Sequence, residues 1–182
     1  FHGDIMGSTV QQLSEMVTAI IPLADQIHEV IVHIESTGGM VHAYGLAALQ
    51  LQRLRQHNIH LTVCIDKVAA SGGYMMAVLA DQLIAAPFAL IGSIGVVAEI
   101  PNFHRLLKKH AIDYEQISAG EFKRTLSTLG EITSKGRNKM QKDINQAHEL
   151  FKQHVKTYRP QLDIDQVATG ELWFGHDALK KQ

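Results

Sequence analysis

The stretch Leu61-Thr62-Val63-Cys64-Ile65-Asp66-Lys67-Val68-Ala69-Ala70-Ser71-Gly72-Gly73-Tyr74 decides the fold. Its first five residues are mostly apolar and rich in β-branched side chains, as a buried strand requires, and Tyr74 to Ala80 is a compact apolar run of helical composition. A strand therefore passes into a helix through Ser-Gly-Gly. Ser71 falls near the helix N-terminus, where unpaired N–H groups and the positive end of the helix dipole stabilise an oxyanion. The same serine also reads as a simple N-cap on a tight turn.

Working outward, Val30 to Ile34 is a second β-rich run. It ends in the turn Glu35-Ser36-Thr37-Gly38-Gly39 and is followed by a helix whose apolar positions are Tyr44, Ala47, Ala48, Leu51 and Leu54. Two strand-turn-helix units in succession point to an α/β fold with a largely parallel sheet and flanking helices. Leu83 to Ala85 and Leu90-Ile91 read as short strands, and Gly92-Ser93-Ile94-Gly95 as a further glycine turn. Pro101 to His110 is predicted to be a helix with proline near its first turn, and Asp113 to Ile117 a strand. Ser134 to Tyr158 is a long amphipathic helix with Met140, Ile144, Ala147, Phe151, Val155 and Tyr158 on its apolar face, closed by Arg159-Pro160. Near the start, Ser8 to Ile21 carries Val10, Leu13, Val17 and Ile20 on one face and stops at Pro22.

The 182 residues, 46% hydrophobic and 19% charged, suffice for one substantial core, and the whole of residues 1–182 reads as a single domain. A net charge of −1 gives no electrostatic case for nucleic acid as a partner. The eleven histidines show no metal-ligand spacing, so no metal is expected. Cys64 is the only cysteine, which excludes an intrachain disulfide. The uncharged run from Gln82 to Ala98 is broken by Pro87, Gly92, Ser93 and Gly95, so it reads as buried strands and turns rather than a membrane span. The chain begins at Phe1 without an initiator methionine and ends in an apparent helix, as an excised domain would.

The turns at Gly38-Gly39, Ser71-Gly72-Gly73 and Gly92 to Gly95 all fall at strand ends, where open α/β folds place their ligands. None matches a dinucleotide or P-loop fingerprint, and no cofactor is expected. A serine nucleophile needs a base. His104, on a predicted helix, is one candidate, and Lys123 and Lys67 are others. A lysine serves only where its surroundings disfavour the ammonium form.

Ala69-Ala70-Ser71-Gly72-Gly73-Tyr74, Gly92-Ser93-Ile94-Gly95-Val96 and the loop around Lys123, in this order, resemble the signal peptide peptidase A family of serine proteases, peptidase family S49, and most closely its single-domain SohB branch. The resemblance runs from Gly3-Asp4-Ile5 to Gly175-His176-Asp177-Ala178. It implies the superhelical ββα fold shared with the caseinolytic protease (ClpP) subunit and crotonase-like enzymes. It implies Ser71 as nucleophile, Lys123 as general base, Ser93 as the residue that orients the lysine, and an oxyanion hole from Gly38, Gly39 and the N–H of Gly72. Thr37 stands where the family has proline, which loosens that turn. Val41, Tyr74, Met75 and Ile94 are expected to line the site for a hydrophobic peptide or unfolded substrate. The resemblance further implies a ring-like homo-oligomer, an octamer, with serine and lysine contributed by neighbouring subunits or domains, and a lysine base leads to an expected alkaline optimum. It implies a membrane segment N-terminal to this chain, missing C-terminal residues, and a periplasmic position at the bacterial inner membrane, with remnant signal peptides or misfolded envelope proteins as substrates. A Ser-His hydrolase using His104, a crotonase-like enzyme and a non-catalytic membrane scaffold of the same fold remain alternatives.

Overall fold

The computed structural model describes residues 1–181. In chain order the elements are α1 (Val10–Ile20), β1 (Glu29–His33), α2 (Val41–Gln56), β2 (His60–Ile65), β3 (Val68–Ala70), α3 (Gly72–Ala77), β4 (Gln82–Ala85), β5 (Leu90–Gly92), α4 (His104–Lys109), α5 (Ser134–Tyr158), α6 (Ile164–Val167), β6 (Leu172–Phe174) and α7 (Gly175–Ala178). They form two compact units. The first runs from Phe1 to Gly95 and resumes at Leu150; the second is Val96–Glu149.

Among the described residues every strand lies in the first unit, in two sheets of three. One is parallel in the order β1-β2-β4, and the other has order β3-β5-β6, with β3 and β5 parallel and β6 antiparallel to β5. In the central strand β2, Leu61, Thr62, Val63 and Ile65 are all buried, because both faces of a parallel strand are covered. Tyr44, Ala47, Ala48, Leu51 and Leu54 recur at helical spacing along α2 and supply the cover, together with Met76, Ala77 and Leu79 at and beyond the end of α3. On α1 the buried residues are Val10, Leu13 and Val17, and Pro22 converts the following turn to 3-10 geometry.

α3 is short and runs into the buried segment Val78 to Ala80, two of whose carbonyls take partners from distant parts of the chain. Arg55 donates to the Leu79 carbonyl at 2.7 Å and pairs with Asp81 at 2.9 Å, while Arg159 donates to the Ala80 carbonyl at 2.8 Å. Asp81 in turn accepts the Leu61 N–H at 2.9 Å, which ties this corner to β2. Phe151 and Val155 of α5 are buried in the same core, as the periodicity predicts.

Three details depart from the sequence reading. α4 starts at His104, beyond Pro101, because the preceding residues are taken up by loop contacts: Asn102 donates to the Ser127 and Gly130 carbonyls and Phe103 N–H to Thr128. Asp113 to Ile117 is not a strand; it pairs with no other segment among the described residues, and Ile117 is 89% exposed. β3 and β6, of three residues each, are too short for periodicity to reveal, and with them the expected single sheet divides in two. Among the described residues no helix is long and apolar enough to cross a membrane.

His154 on α5 donates its Nε2–H to the Met75 carbonyl at 2.9 Å, since a carbonyl can only accept. Burial holds its pKa below the ordinary imidazole value, outweighing the opposite effect of that hydrogen bond. The unfolded chain then binds a proton on this histidine that the folded chain does not, so stability falls as pH drops below about 6.5. Urea unfolding at pH 7.0 and 5.5 is expected to show a smaller drop for His154→Gln, whose amide can still donate to Met75, than for the wild type.

Candidate active site

The strand ends bring three loops together in the first unit. Beyond β1 the chain continues through Ser36, which bridges in parallel to Ala69 and exchanges hydrogen bonds with Val68 and Ala70 of β3. β3 and β5 pair so that Ala70 faces Gly92. Ser71 and Ser93 are thus the residues that immediately follow a matched pair on neighbouring parallel strands. The Ser71 N–H donates to the Gly92 carbonyl at 2.8 Å, and the Ser93 N–H to the Glu171 carbonyl at 2.6 Å.

Both serines have the left-handed backbone that L-residues avoid, with φ of 50° at Ser71 and 53° at Ser93. A non-glycine residue held this way costs about 1–3 kcal/mol and marks a turn dictated by its surroundings. Ser71 sits at the N-cap position of α3, but its hydroxyl makes no capping hydrogen bond, and among the described residues it has no hydrogen-bond partner. Its role is therefore not that of a cap. α3 spans only six residues, so individual N–H groups matter here more than a helix dipole.

The Gly38-Gly39 loop presses against this turn. Gly38 has φ of 89°, and a Cβ there would lie 2.6 Å from the Gly72 nitrogen and 2.8 Å from the Ser71 Cβ. Only glycine fits both the conformation and the approach. The Gly38 N–H is engaged by the Ser36 hydroxyl at 3.1 Å, which removes it from the set of donors expected from sequence. The N–H groups of Gly39 and Gly72 have no acceptor among the described residues and are the available pair. Thr37 does not leave the turn loose, because the Ser36 side chain closes it.

Of the expected lining residues, Val41 is exposed and Met75 partly so, whereas Tyr74 and Ile94 are core residues at 7% and 1% exposure. Burial pushes the Tyr74 hydroxyl pKa up, with a smaller opposing effect from Arg159. Lys67 is engaged elsewhere: its ammonium lies 3.0 Å from Glu35, whose carboxyl it holds below the usual range, so Lys67 is not a free base. Lys123 and His104 belong to the second unit. Lys123 is exposed in a loop where its N–H closes onto Gly120, beside the Glu121–Lys135 ion pair and the Phe122 ring, over which Lys135 and Lys139 lie at 5.8 Å. His104 opens α4, with its N–H 3.3 Å from the Asn102 side chain. Among the described residues no group of three His, Cys, Asp or Glu side chains is arranged to hold a metal ion.

Sequence reasoning missed Ser36 and Tyr44. Ser36 lies 2% exposed, with its hydroxyl 2.6 Å from that of Tyr44. The spacing Ser36-x-Gly38 is the available signal, since a serine two residues before a glycine often closes a turn. Tyr44 read as one more apolar position of α2.

Comparison with known proteins gives this arrangement a family. The profile of peptidase family S49 matches residues 53–182, and that of the peptidase family S49 N-terminal region matches residues 1–51. The chain belongs to peptidase family S49. It is 57% identical to the probable protease SohB of Haemophilus influenzae over all 182 residues, which make up 52% of that protein, and 54% identical to the probable protease SohB of Buchnera aphidicola subsp. Schlechtendalia chinensis, of which it covers 60%. The chain thus spans roughly half the length of these S49 relatives. A solved structure of the 1510-N membrane-bound stomatin-specific protease, a point mutant in complex with a substrate peptide, matches with a TM-score of 0.57 at 18% identity, over 100% of this chain and 69% of that one. The S49 chain therefore has the α/β, ClpP-like fold that its motifs imply.

The positive φ at Ser71 is a testable cost. Ser71→Gly is expected to be more stable than Ser71→Ala by about 1 kcal/mol, because glycine adopts that backbone without strain. Urea midpoints of the two variants check this, and equal midpoints would remove strain from the description of the turn.

Proposed function

We propose that this S49 chain carries the nucleophile and oxyanion hole of a serine endopeptidase, with Ser71 as nucleophile and Lys123 as general base. The observation that carries the reading is the strained Ser71 turn, with its unbonded hydroxyl beside two free N–H donors at Gly39 and Gly72. The Ser71 Oγ attacks a peptide carbonyl while the neutral Lys123 amine takes its proton. Negative charge grows on the carbonyl oxygen, and the Gly39 and Gly72 N–H groups donate to it, each such donor being worth about 10²–10³ in rate. The protonated lysine gives its proton to the leaving amine, and water hydrolyses the acyl ester using the same base.

Ser93, one strand over from Ser71, orients the lysine by its hydroxyl. In keeping with the family resemblance, the lysine reaches the serine of a neighbouring copy, so that activity requires a ring-like homo-oligomer. The substrate is an extended hydrophobic segment that pairs with the main chain beside the glycine turns as an added strand, with Val41 and Met75 against its side chains. The stomatin-specific protease of like fold is itself in complex with a substrate peptide, which supports a peptide as the ligand. Within a longer, membrane-anchored protein the domain works on the periplasmic side of the bacterial inner membrane, on remnant signal peptides or misfolded envelope proteins.

Cleavage of casein and of a hydrophobic peptide by the full-length, sized oligomer tests the assignment. Ser71→Ala and Lys123→Ala are expected to drop turnover to background, and His104→Ala to leave it within about twofold, as a residue outside the chemistry would. Turnover retained by Lys123→Ala would move the base elsewhere, and an inactive wild-type assembly would favour a binding scaffold.

A further inference from the structure

One side chain braces both free donors of the site. The Tyr44 ring lies directly beneath Gly72, so closely that a Cβ on Gly72 would overlap its Cγ. At the other end of the ring, the Tyr44 hydroxyl meets the Ser36 hydroxyl at 2.6 Å and donates to the Asp4 carbonyl at 2.8 Å. The direction of the protons is fixed. A carbonyl only accepts, so Tyr44 spends its single proton on Asp4; Ser36 must then donate to the Tyr44 oxygen, and its own oxygen accepts the Gly38 N–H at 3.1 Å. The chain runs one way, from the Gly38 N–H through Ser36 and Tyr44 to the Asp4 carbonyl.

The middle of this relay is dry. Tyr44 is fully buried and Ser36 nearly so, so a broken link between their hydroxyls finds no water to replace it, whereas the Asp4 end lies nearer the surface. On the far side the Ile5 carbonyl packs against Gly39 and accepts the Met40 N–H at 2.9 Å. The Gly38-Gly39 peptide is thus clamped through its two neighbours, the Thr37-Gly38 peptide held by the Ser36 hydroxyl and the Gly39-Met40 peptide held by the Ile5 carbonyl. That clamp sets which way the Gly39 N–H points, while the tyrosine ring sets the height of Gly72.

We infer that Tyr44, acting through Ser36, is the positioning residue that holds the Gly39 and Gly72 N–H groups in register for the oxyanion. It touches neither substrate nor reacting atoms. The inference rests on the reading that these two N–H groups serve the oxyanion formed when Ser71 attacks. Tyr44→Phe keeps the ring under Gly72 but leaves Ser36 without an acceptor and the Asp4 carbonyl with the Gly7 N–H alone. Ser36→Ala cuts the Gly38 end and leaves Tyr44 in place.

The test compares the full-length wild type, Tyr44→Phe and Ser36→Ala with two probes, a hydrophobic peptide aldehyde and the peptide alcohol of the same sequence. Ser71 Oγ adds to the aldehyde carbon, its proton passing to the base, and the aldehyde oxygen becomes the oxyanion; the alcohol forms no such adduct. The expected result is a loss of about tenfold in kcat per titrated site with KM nearly unchanged, because a displaced donor forfeits part of the 10²–10³ that a donor is worth. Aldehyde affinity falls by a similar factor, and alcohol affinity stays the same. A purely structural role for Tyr44 would lower the thermal midpoint and the number of titrated sites but leave kcat per site and the aldehyde-to-alcohol ratio at wild-type values, and that result overturns the inference alone. A wild type that binds the aldehyde no better than the alcohol overturns the protease reading and this inference with it. Should Tyr44→Phe fail to fold, Ser36→Ala decides by the same two readouts.

Discussion

The approach of the Gly38 loop to the Ser71-Gly72 backbone is the constraint around which the first unit is arranged. A single Cβ at Gly38 would collide with backbone that cannot give way, and a Cβ at Gly72 would enter the Tyr44 ring. Both loops need the positions they have, and neither holds itself there. Ser36 is bonded to β3 on its main-chain side and closes the Gly38 turn with its hydroxyl. The two loops are therefore parts of one hydrogen-bonded body rather than separate turns that happen to meet.

The same logic explains the cost carried at Ser71. A serine at positive φ persists only where its neighbours over-determine the backbone, and here its N–H is held by Gly92 while its carbonyl accepts from Met75. Strain at the turn is offset by the burial of α3 and by the two arginines, Arg55 and Arg159, that satisfy the carbonyls just beyond the helix. Arg159 was visible in the sequence only as the residue that precedes a helix-ending proline. Its contact with Ala80 spans 79 residues of chain, and no local pattern encodes such a bond.

How much of the site was legible follows from what each residue does locally. Ser71 and the glycines announce themselves because strand, turn and helix signals meet at one point, and the family resemblance reaches the same residues. Donor assignment within the glycine turn was not legible, since whether the Gly38 N–H is free depends on a side chain two residues away whose rotamer is set by Tyr44. Tyr74 and Ile94 are expected from sequence as part of an apolar lining, yet an apolar residue near a turn can face inward, and these two pack into the core. Asp113 to Ile117 failed as a strand because a strand exists only where a partner edge is offered, and the segment stays exposed without one among the described residues.

By itself, the sequence determined the α/β class, the succession of strand-turn-helix units, the long helix Ser134–Tyr158 and the identity of the serine turn. These depend on periodicity, on β-branched runs and on proline and glycine placement, all read within a dozen residues. Only the tertiary structure decided that the strands divide into two sheets, that Ser71 and Ser93 follow a matched pair on adjacent strands, and that Tyr44 reaches Ser36 to fix the Gly38 turn. Those facts rest on registers and buried hydrogen bonds between residues distant in the chain. They are settled by which groups must find partners once water is excluded, a condition that no local pattern records.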